Sequence, residues 1–216
     1  MAIHILGNGP SIRLFDRDAW PETDLFVGCN FSDPRLRPHF VSLIDVRAMK
    51  SLLKGHIPEA PVLLSGRAAD YGDKQNPEWR DLLHYPVEAV MDLIRYPSVS
   101  KDLAMNSGQH GLVYALNAYQ EHTDSVHLWG IDSFWTDNMA STTDSITRAD
   151  LRGDRVRPQI TRCWRRYWDV LFSGNQDTTF HIHTMNGMVV SSSHMNQNNV
   201  QVVYHDDDGA KRPERI

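Results

Sequence analysis

The sequence predicts a single Rossmann-like α/β domain, in which a mostly parallel sheet is flanked by helices. Short apolar runs recur along the chain, and each ends in glycine, asparagine, aspartate or serine, as buried parallel strands end in loops. Segments of roughly ten to sixteen residues link the first of these runs, enough for short helices or turns. The chain has 216 residues, which suits one domain because domains commonly hold about 100–200 residues.

Four strands are predicted in the first third of the chain, at residues 2–6, 25–30, 40–45 and 61–66. The first ends abruptly at Gly7-Asn8-Gly9-Pro10-Ser11. A buried strand that stops at such a sequence predicts a tight turn facing a ligand.

The rest of the sheet is predicted from helices and strands that alternate after residue 105. Before it, prolines keep helices short, and residues 87–96 are a candidate for one of them. A long helix begins near Ser107, because apolar residues at helical spacing follow it. The remaining elements are a strand at 125–129, a helix at 159–172, a strand at 179–183 and a possible strand at 200–204.

The chain is predicted to consist of one domain and a C-terminal extension. Residues 1–190 form the predicted nucleotide-binding domain, and within it residues 133–158 lack hydrophobic periodicity and are interpreted as a loop or lid. Residues 191–216 are a polar C-terminal extension, and its end, residues 206–216, is expected to be mobile.

Composition excludes several classes of protein and names no partner. With 41% hydrophobic and 23% charged residues, the chain is neither disordered nor fibrous. A net charge of −5 removes a global basic field for nucleic acid. Cys29 and Cys163 are interpreted as reduced thiols. No stretch is long and apolar enough for a membrane span, and the N-terminus does not resemble a signal peptide, so a cytoplasmic protein is expected.

Candidate ligand-binding residues follow from the strand ends. In a parallel sheet, ligands bind at the carboxyl ends of the strands, where loops and helix N-termini meet. The glycines allow close approach, and asparagine amides suit a ribose or a base edge. The nucleotide-binding set is Gly7, Asn8, Gly9, Pro10, Ser11, Asn30, Asp45, Ser107, Gly108, Gly130 and Asp132.

As a set, these motifs resemble a known family. The chain resembles the bacterial sialyltransferases of glycosyltransferase family 42 in four motifs. They are GNGPS near the start, a strand ending in CN, NSG opening a helix and a strand ending in WGID. The resemblance covers roughly residues 3–190 and implies a sialyltransferase-like fold and a CMP-sugar-like donor. Transferred by motif, the donor pocket would use Asn8 to Ser11, Asn30, Ser107, Gly108, Gly130 and Asp132.

The chain departs from that family at the catalytic base and at the donor phosphate. The family's base is a histidine after the Gly-Ile-Asp strand end, but residues 133–180 contain no histidine, and the first tyrosine after Asp132 is Tyr167. Asp132 and His183 are the alternative candidates for the base, since both are expected at strand ends facing the cleft. Arg155 and Arg157 are candidates to bind the phosphate, from a group of four with Arg148 and Arg152.

Three further groups of side chains are interpreted: the later arginines, two strand histidines and one tryptophan. Arg162, Arg165 and Arg166 are expected on a solvated helix face. His181 and His183 alternate with apolar residues and are interpreted as a buried polar pair, because no third metal ligand lies at a recognisable spacing. Trp135, near the start of the lid, is a candidate to stack on a base or sugar.

The leading hypothesis is a nucleotide-sugar-dependent glycosyltransferase that requires no metal cofactor. Its acceptor stays open among a saccharide, a lipid-linked sugar, a modified nucleic-acid base and a small metabolite. The motif signature also occurs in proteins similar to 6-hydroxymethylpterin pyrophosphokinases. Pyrophosphoryl transfer to a small alcohol, with Mg²⁺ held by Asp45 and Asp132, is therefore an alternative. A non-catalytic nucleotide-binding protein is the third hypothesis. The oligomeric state is not predicted.

Overall fold

Eight parallel strands form one sheet in the computed structural model, which describes residues 1–83, 88–89, 105–137, 141–142, 146–147, 157–190 and 196–206. The spatial order of the strands is β5-β4-β3-β2-β1-β6-β7-β8. Their bounds are β1 Ala2–Leu6, β2 Leu25–Cys29, β3 Phe40–Leu43, β4 Val62–Leu64, β5 Glu88–Ala89, β6 Ser125–Trp129, β7 Thr179–Met185 and β8 Val200–His205. The fold class predicted from the sequence is confirmed.

The predicted strands are confirmed, including the possible strand at 200–204, which is β8 and pairs with β7 over six residues. The helix predicted at residues 87–96 is wrong at Glu88–Ala89, where the chain instead pairs with β4 as the short edge strand β5. Residues 90–96 lie outside the described residues. Edge pairing at β4 here overrides a weak local helical pattern.

In the described ranges, four α-helices flank the sheet: α1 Val46–Leu52, α2 Gly66–Gln75, α3 Ser107–Tyr119 and α4 Arg157–Gly174. The helices α3 and α4 cover one face, where Leu112 and Trp168 pack against Ile5 and Leu128. On the other face, α1 and α2 cover β3 and β4, and a 3-10 helix at Pro10–Leu14 covers β1 and β6. Because both faces are covered, the central strands are almost completely buried, which explains why they read as continuous apolar runs.

The chain reverses its direction across the sheet between β1 and β6. Strands β1 to β5 advance toward one edge, and β6 then returns to the other side of β1. Beyond these two strands, Gly7 and Gly130 lie in backbone contact, so close that a Cβ at Gly7 would lie 2.4 Å from the Gly130 carbonyl oxygen. Gly130 also has a φ of +65°, which favours glycine. Two glycines thus allow the chain to pack tightly at the switch point.

Within the described ranges, no helix combines the length and apolar character needed to cross a membrane.

Candidate functional site

A cavity of about 110 Å³ lies at the carboxyl ends of β1, β2 and β6, beside the first turn of α3. This is the switch point of the sheet, where open α/β folds bind their ligands. Most of the predicted nucleotide-binding residues line it: Gly7, Asn8, Gly9, Asn30, Ser107, Gly108, Gly130 and Asp132. We call this cavity the first compartment.

The other three predicted binding residues lie elsewhere. Pro10 and Ser11 begin the 3-10 helix behind the first compartment, and Ser11 is completely buried. Asp45 lies at the end of β3 and lines a neighbouring cavity of about 190 Å³, which we call the second compartment. The structure therefore gathers eight of the eleven predicted residues around one cavity.

Asn30 takes a backbone conformation that is uncommon for a side chain other than glycine. Its φ is +54°, in the left-handed region that costs a non-glycine residue energy. Its Oδ1 accepts a hydrogen bond of 2.7 Å from the hydroxyl of Ser107. The strained residue thus joins the end of β2 to the start of α3, across the wall of the first compartment.

Asn8 joins the ends of β1 and β2. Its Nδ2 donates a 2.7 Å hydrogen bond to the carbonyl oxygen of Cys29. Its own carbonyl oxygen accepts a 2.7 Å hydrogen bond from the amide of Thr142. The described part of the segment predicted as a lid therefore reaches the Gly-Asn-Gly-Pro turn, and Ser141 lines the first compartment.

Asp132 lies at the floor of the first compartment and is only 8% exposed. One carboxylate oxygen accepts a short hydrogen bond from the Ser11 hydroxyl, and the other accepts a 3.2 Å bond from the Ser11 amide. Burial raises the pKa of Asp132 above its ordinary value, although the bonds from Ser11 act in the opposite direction. A carboxylate with a raised pKa is a stronger base than one in water.

The first turn of α3 is capped reciprocally. The amide of Gln109 donates to Oδ1 of Asn106, and the amide of Asn106 donates to Oε1 of Gln109, both at 2.9 Å. This pair of bonds is a capping box. The amides of Ser107 and Gly108 precede any intrahelical acceptor, and both residues line the cavity. A helix N-terminus in this position favours an anionic group.

Sequence reasoning missed Trp164 as a site residue. Trp164 lines both compartments from α4, and it lies at helical spacing from the buried residues Tyr167, Trp168 and Leu171. It precedes Tyr167 by almost one turn, on the same side of the helix, yet it is only half-buried. Helical spacing alone does not separate it from the core residues.

The structure does not bring His183 to the cleft, so the expectation that it faces the cleft is wrong. Strand β7 continues to Met185, which places His183 inside the strand. Its ring stacks on Trp129 at a centroid distance of 3.5 Å and is 2% exposed. This contact lies on the sheet face opposite α3 and α4, as the register with β6 and β1 requires.

His183 belongs to a cluster of five histidines that we call the histidine row: His4, His127, His181, His183 and His205. His4, His127 and His181 occupy matching register positions on three adjacent strands. His183 lies within hydrogen-bond distance of both His127 and His205, at 2.9 Å each. No group of three or more metal-ligating side chains with metal-site geometry occurs in the described ranges. The interpretation of His181 and His183 as a buried polar pair holds for His183, whereas His181 is half-buried.

The predictions for the arginines and for Trp135 have mixed outcomes. Arg148, Arg152 and Arg155 lie outside the described residues, as does the side chain of Arg157, which begins α4. Arg162 and Arg166 are exposed as expected. Arg165 is not on a solvated face, because it donates to the carbonyl oxygen of Ser133 and to Asp137.

Trp135 does not line either compartment; it packs against the core beside α3 and α4. Its ring lies beside Phe134, which in turn contacts Trp168 of α4. The proposed stacking partner of a ligand is therefore Trp164 rather than Trp135.

Taken together, the described residues of the first compartment offer amide groups, serine hydroxyls, a helix N-terminus and a buried carboxylate. Comparison of the chain with protein-family models, with curated proteins and with solved structures found no match in any of the three.

Proposed function

We propose that this protein binds a nucleotide-sugar donor in the first compartment and transfers its sugar to an acceptor hydroxyl. The observation that carries the proposal is the convergence of Asn8, Asn30, Ser107 and Asp132 on one cavity at the switch point of the sheet. Such cavities are the usual nucleotide sites of open α/β folds. The resemblance of the motifs to family 42 sialyltransferases supports a donor whose base and ribose are those of cytidine.

The polar groups of the first compartment suit the parts of a nucleotide. Oδ1 of Asn30 is occupied by Ser107, so the amide nitrogen of Asn30 is oriented to donate to a ribose or base oxygen. The amides of Ser107 and Gly108 suit the donor phosphate at the N-terminus of α3. Arg155 and Arg157 are proposed to neutralise the leaving phosphate, as bidentate partners.

Asp132 is proposed as the general base. Sugar transfer requires that the acceptor hydroxyl lose its proton as it attacks the anomeric carbon, while the nucleotide leaves. Asp132 is the described carboxylate of the first compartment, and Ser11 fixes its orientation through two hydrogen bonds. Burial raises its pKa, which increases its basicity as long as it stays ionised.

Pyrophosphoryl transfer is the competing proposal, and the two carboxylates it needs line different cavities. Asp132 lines the first compartment and is bonded to Ser11, whereas Asp45 lines the second. A chelator distinguishes the two reactions. Sugar transfer should continue in excess EDTA, whereas loss of turnover that is restored by Mg²⁺ would support phosphoryl transfer.

A nucleotide screen tests the proposal directly. The melting temperature of the protein is measured with cytidine, uridine, guanosine and adenosine nucleotides, because a ligand that binds only the native state raises it. We expect a cytidine nucleotide to give the largest increase, and we expect hydrolysis of a CMP-sugar to release CMP. Binding without turnover would identify a non-catalytic nucleotide-binding protein, and no increase with any nucleotide would contradict the proposal.

A further inference from the structure

Beside the first compartment lies the second compartment, with a volume of about 190 Å³. Four residues line both cavities: Asn30, Asn106, Ser107 and Trp164. The two cavities thus share a wall made by the end of β2, the start of α3 and the middle of α4. A ligand in one lies next to a ligand in the other.

The residues that line only the second compartment differ in chemistry from those of the first. Apolar surface comes from Ile44, Met105 and Ile160. The polar groups are the carboxylate of Asp45, the guanidinium of Arg67 and the hydroxyl of Thr147. Apolar surface beside a few convergent polar groups is typical of a small-molecule site. The half-buried Trp164 also lines the cavity, and an indole can pack against a sugar ring.

Arg67 gives the second compartment its only guanidinium among the residues found to line it. In the part of the chain that the structure describes, no carboxylate pairs with Arg67. The residue also occupies the first turn of α2, which contains no acidic side chain, and a cation there is repelled by the helix dipole. An anionic group in the second compartment would therefore interact favourably with both Arg67 and the helix.

We propose that the second compartment binds the acceptor, and that this acceptor is a hydroxylated acid that carries a carboxylate or a phosphate. Arg67 holds the acidic group, Asp45 accepts hydrogen bonds from hydroxyls, and Trp164 packs against the ring. The identification of this ligand as the acceptor rests on the proposed function, whereas the preference of the site for an acid does not require that function.

Matched sugars test the preference for an acid. Glucose and galactose are compared with glucuronic acid, galacturonic acid and glucose 6-phosphate by ligand-observed NMR titration, with and without saturating CMP. We expect at least one acid to bind about tenfold more tightly than the neutral sugar of the same configuration, as for a single charge-assisted contact. A preference limited to glucose 6-phosphate would assign the acid as a phosphate, and a preference for the uronic acids would assign it as a carboxylate.

Two arginine variants identify the group responsible. In Arg67→Gln the acid should lose its advantage over the neutral sugar, while CMP affinity stays unchanged. Arg47→Gln is the matched control, since Arg47 is exposed on α1 and lines neither compartment. Equal affinity for acids and neutral sugars, an unchanged preference in Arg67→Gln, or no binding of any acid would overturn the proposal.

Failure of the proposed function gives a different pattern. If no nucleotide binds but acids still bind through Arg67, the nucleotide-sugar hypothesis is wrong and the acid site stands. If CMP binds and the acids do not, the donor site stands and the inference about the second compartment is wrong.

Discussion

Two polar clusters of the described residues differ in their surroundings: the first compartment is a cavity, whereas the histidine row lies within the sheet. The first compartment gathers amides, serine hydroxyls and a carboxylate at the carboxyl ends of the strands. The histidine row gathers five imidazoles on a sheet face, where His4, His127, His183 and His205 are buried. In the histidine row the rings stack and hydrogen-bond with one another, whereas in the first compartment the polar groups border open space.

The comparison shows that polar residues in a strand identify a site only when the strand ends beside them. His183 lies inside β7, so its neighbours are the flanking strands and it packs against Trp129. Asp132 and Asn30 follow the last residues of β6 and β2, where the chain leaves the sheet. Access to a ligand therefore depends on the position along the strand as much as on the residue type.

The largest expected effect is on turnover in Asp132→Asn. Because asparagine cannot take the acceptor proton, the rate of sugar transfer should fall about 10²–10⁴-fold, while nucleotide affinity changes little. Asparagine keeps the shape of the side chain; its oxygen can accept from the Ser11 amide, and the Ser11 hydroxyl can rotate to accept from its Nδ2, so the melting temperature should stay close to that of the parent. The control is Asp70→Asn on the exposed face of α2. Unchanged turnover in Asp132→Asn would remove Asp132 from the reaction.

The next effect is on stability in His183→Ala. Removing a buried ring that stacks on Trp129 and bonds to His127 and His205 should lower the free energy of unfolding by about 2–4 kcal/mol. Urea denaturation measures this loss, and His56→Ala, at an exposed position, is the control. Nucleotide affinity should stay at the parent value, because His183 lines neither compartment. A loss of affinity without a loss of stability would return His183 to the candidate site.

Substitutions of Asn30 separate its side chain from its backbone. Asn30→Gly keeps the positive φ without strain, so its loss of nucleotide affinity, about 1–3 kcal/mol, reports the side chain alone. Asn30→Ala removes the same side chain but strains the backbone, so it should also lower the melting temperature. Calorimetric titration with CMP measures both affinities. Parent affinity in Asn30→Gly would show that the amide does not contact the ligand.

The last expected effect is confined to low pH and concerns His110, which is buried in α3 next to Ser42. Burial lowers the pKa of His110 to about 4. Between pH 6.5 and 4 the unfolded chain therefore binds a proton that the folded chain does not, and stability falls as the pH falls. The contribution lost between pH 7 and 4.5 is about 2 kcal/mol.

The variant His110→Asn isolates this contribution, since the asparagine amide takes the position of Nδ1 beside the Ser42 hydroxyl and does not titrate. Urea unfolding of parent and variant at several pH values should show a weaker loss of stability at low pH in the variant. Parallel pH profiles for the two proteins would contradict the assignment.

Much of the fold was predictable because it depends on local patterns. Strands buried on both faces are continuous apolar runs, and helices such as α3 carry their cap and their apolar spacing in adjacent residues. The positions at which strands end are equally local, which is why eight of the eleven predicted binding residues line one cavity. Helix caps, strand ends and turns are each decided by residues close together in the sequence.

The sequence by itself determined that the chain forms a parallel α/β sheet with polar residues at its strand ends. Only the tertiary structure decided which of those residues share a cavity, because β1 pairs with β6 across more than a hundred residues of intervening chain. It also decided the role of His183, since a residue's face and depth depend on the register of strands β6, β7 and β8. Trp164 became a site residue for the same reason: α4 brings it to the carboxyl edge of the sheet, and no local pattern encodes that approach. Arg67 differs, because it directly follows the strand predicted at 61–66, but its place in the second compartment also depends on the tertiary structure.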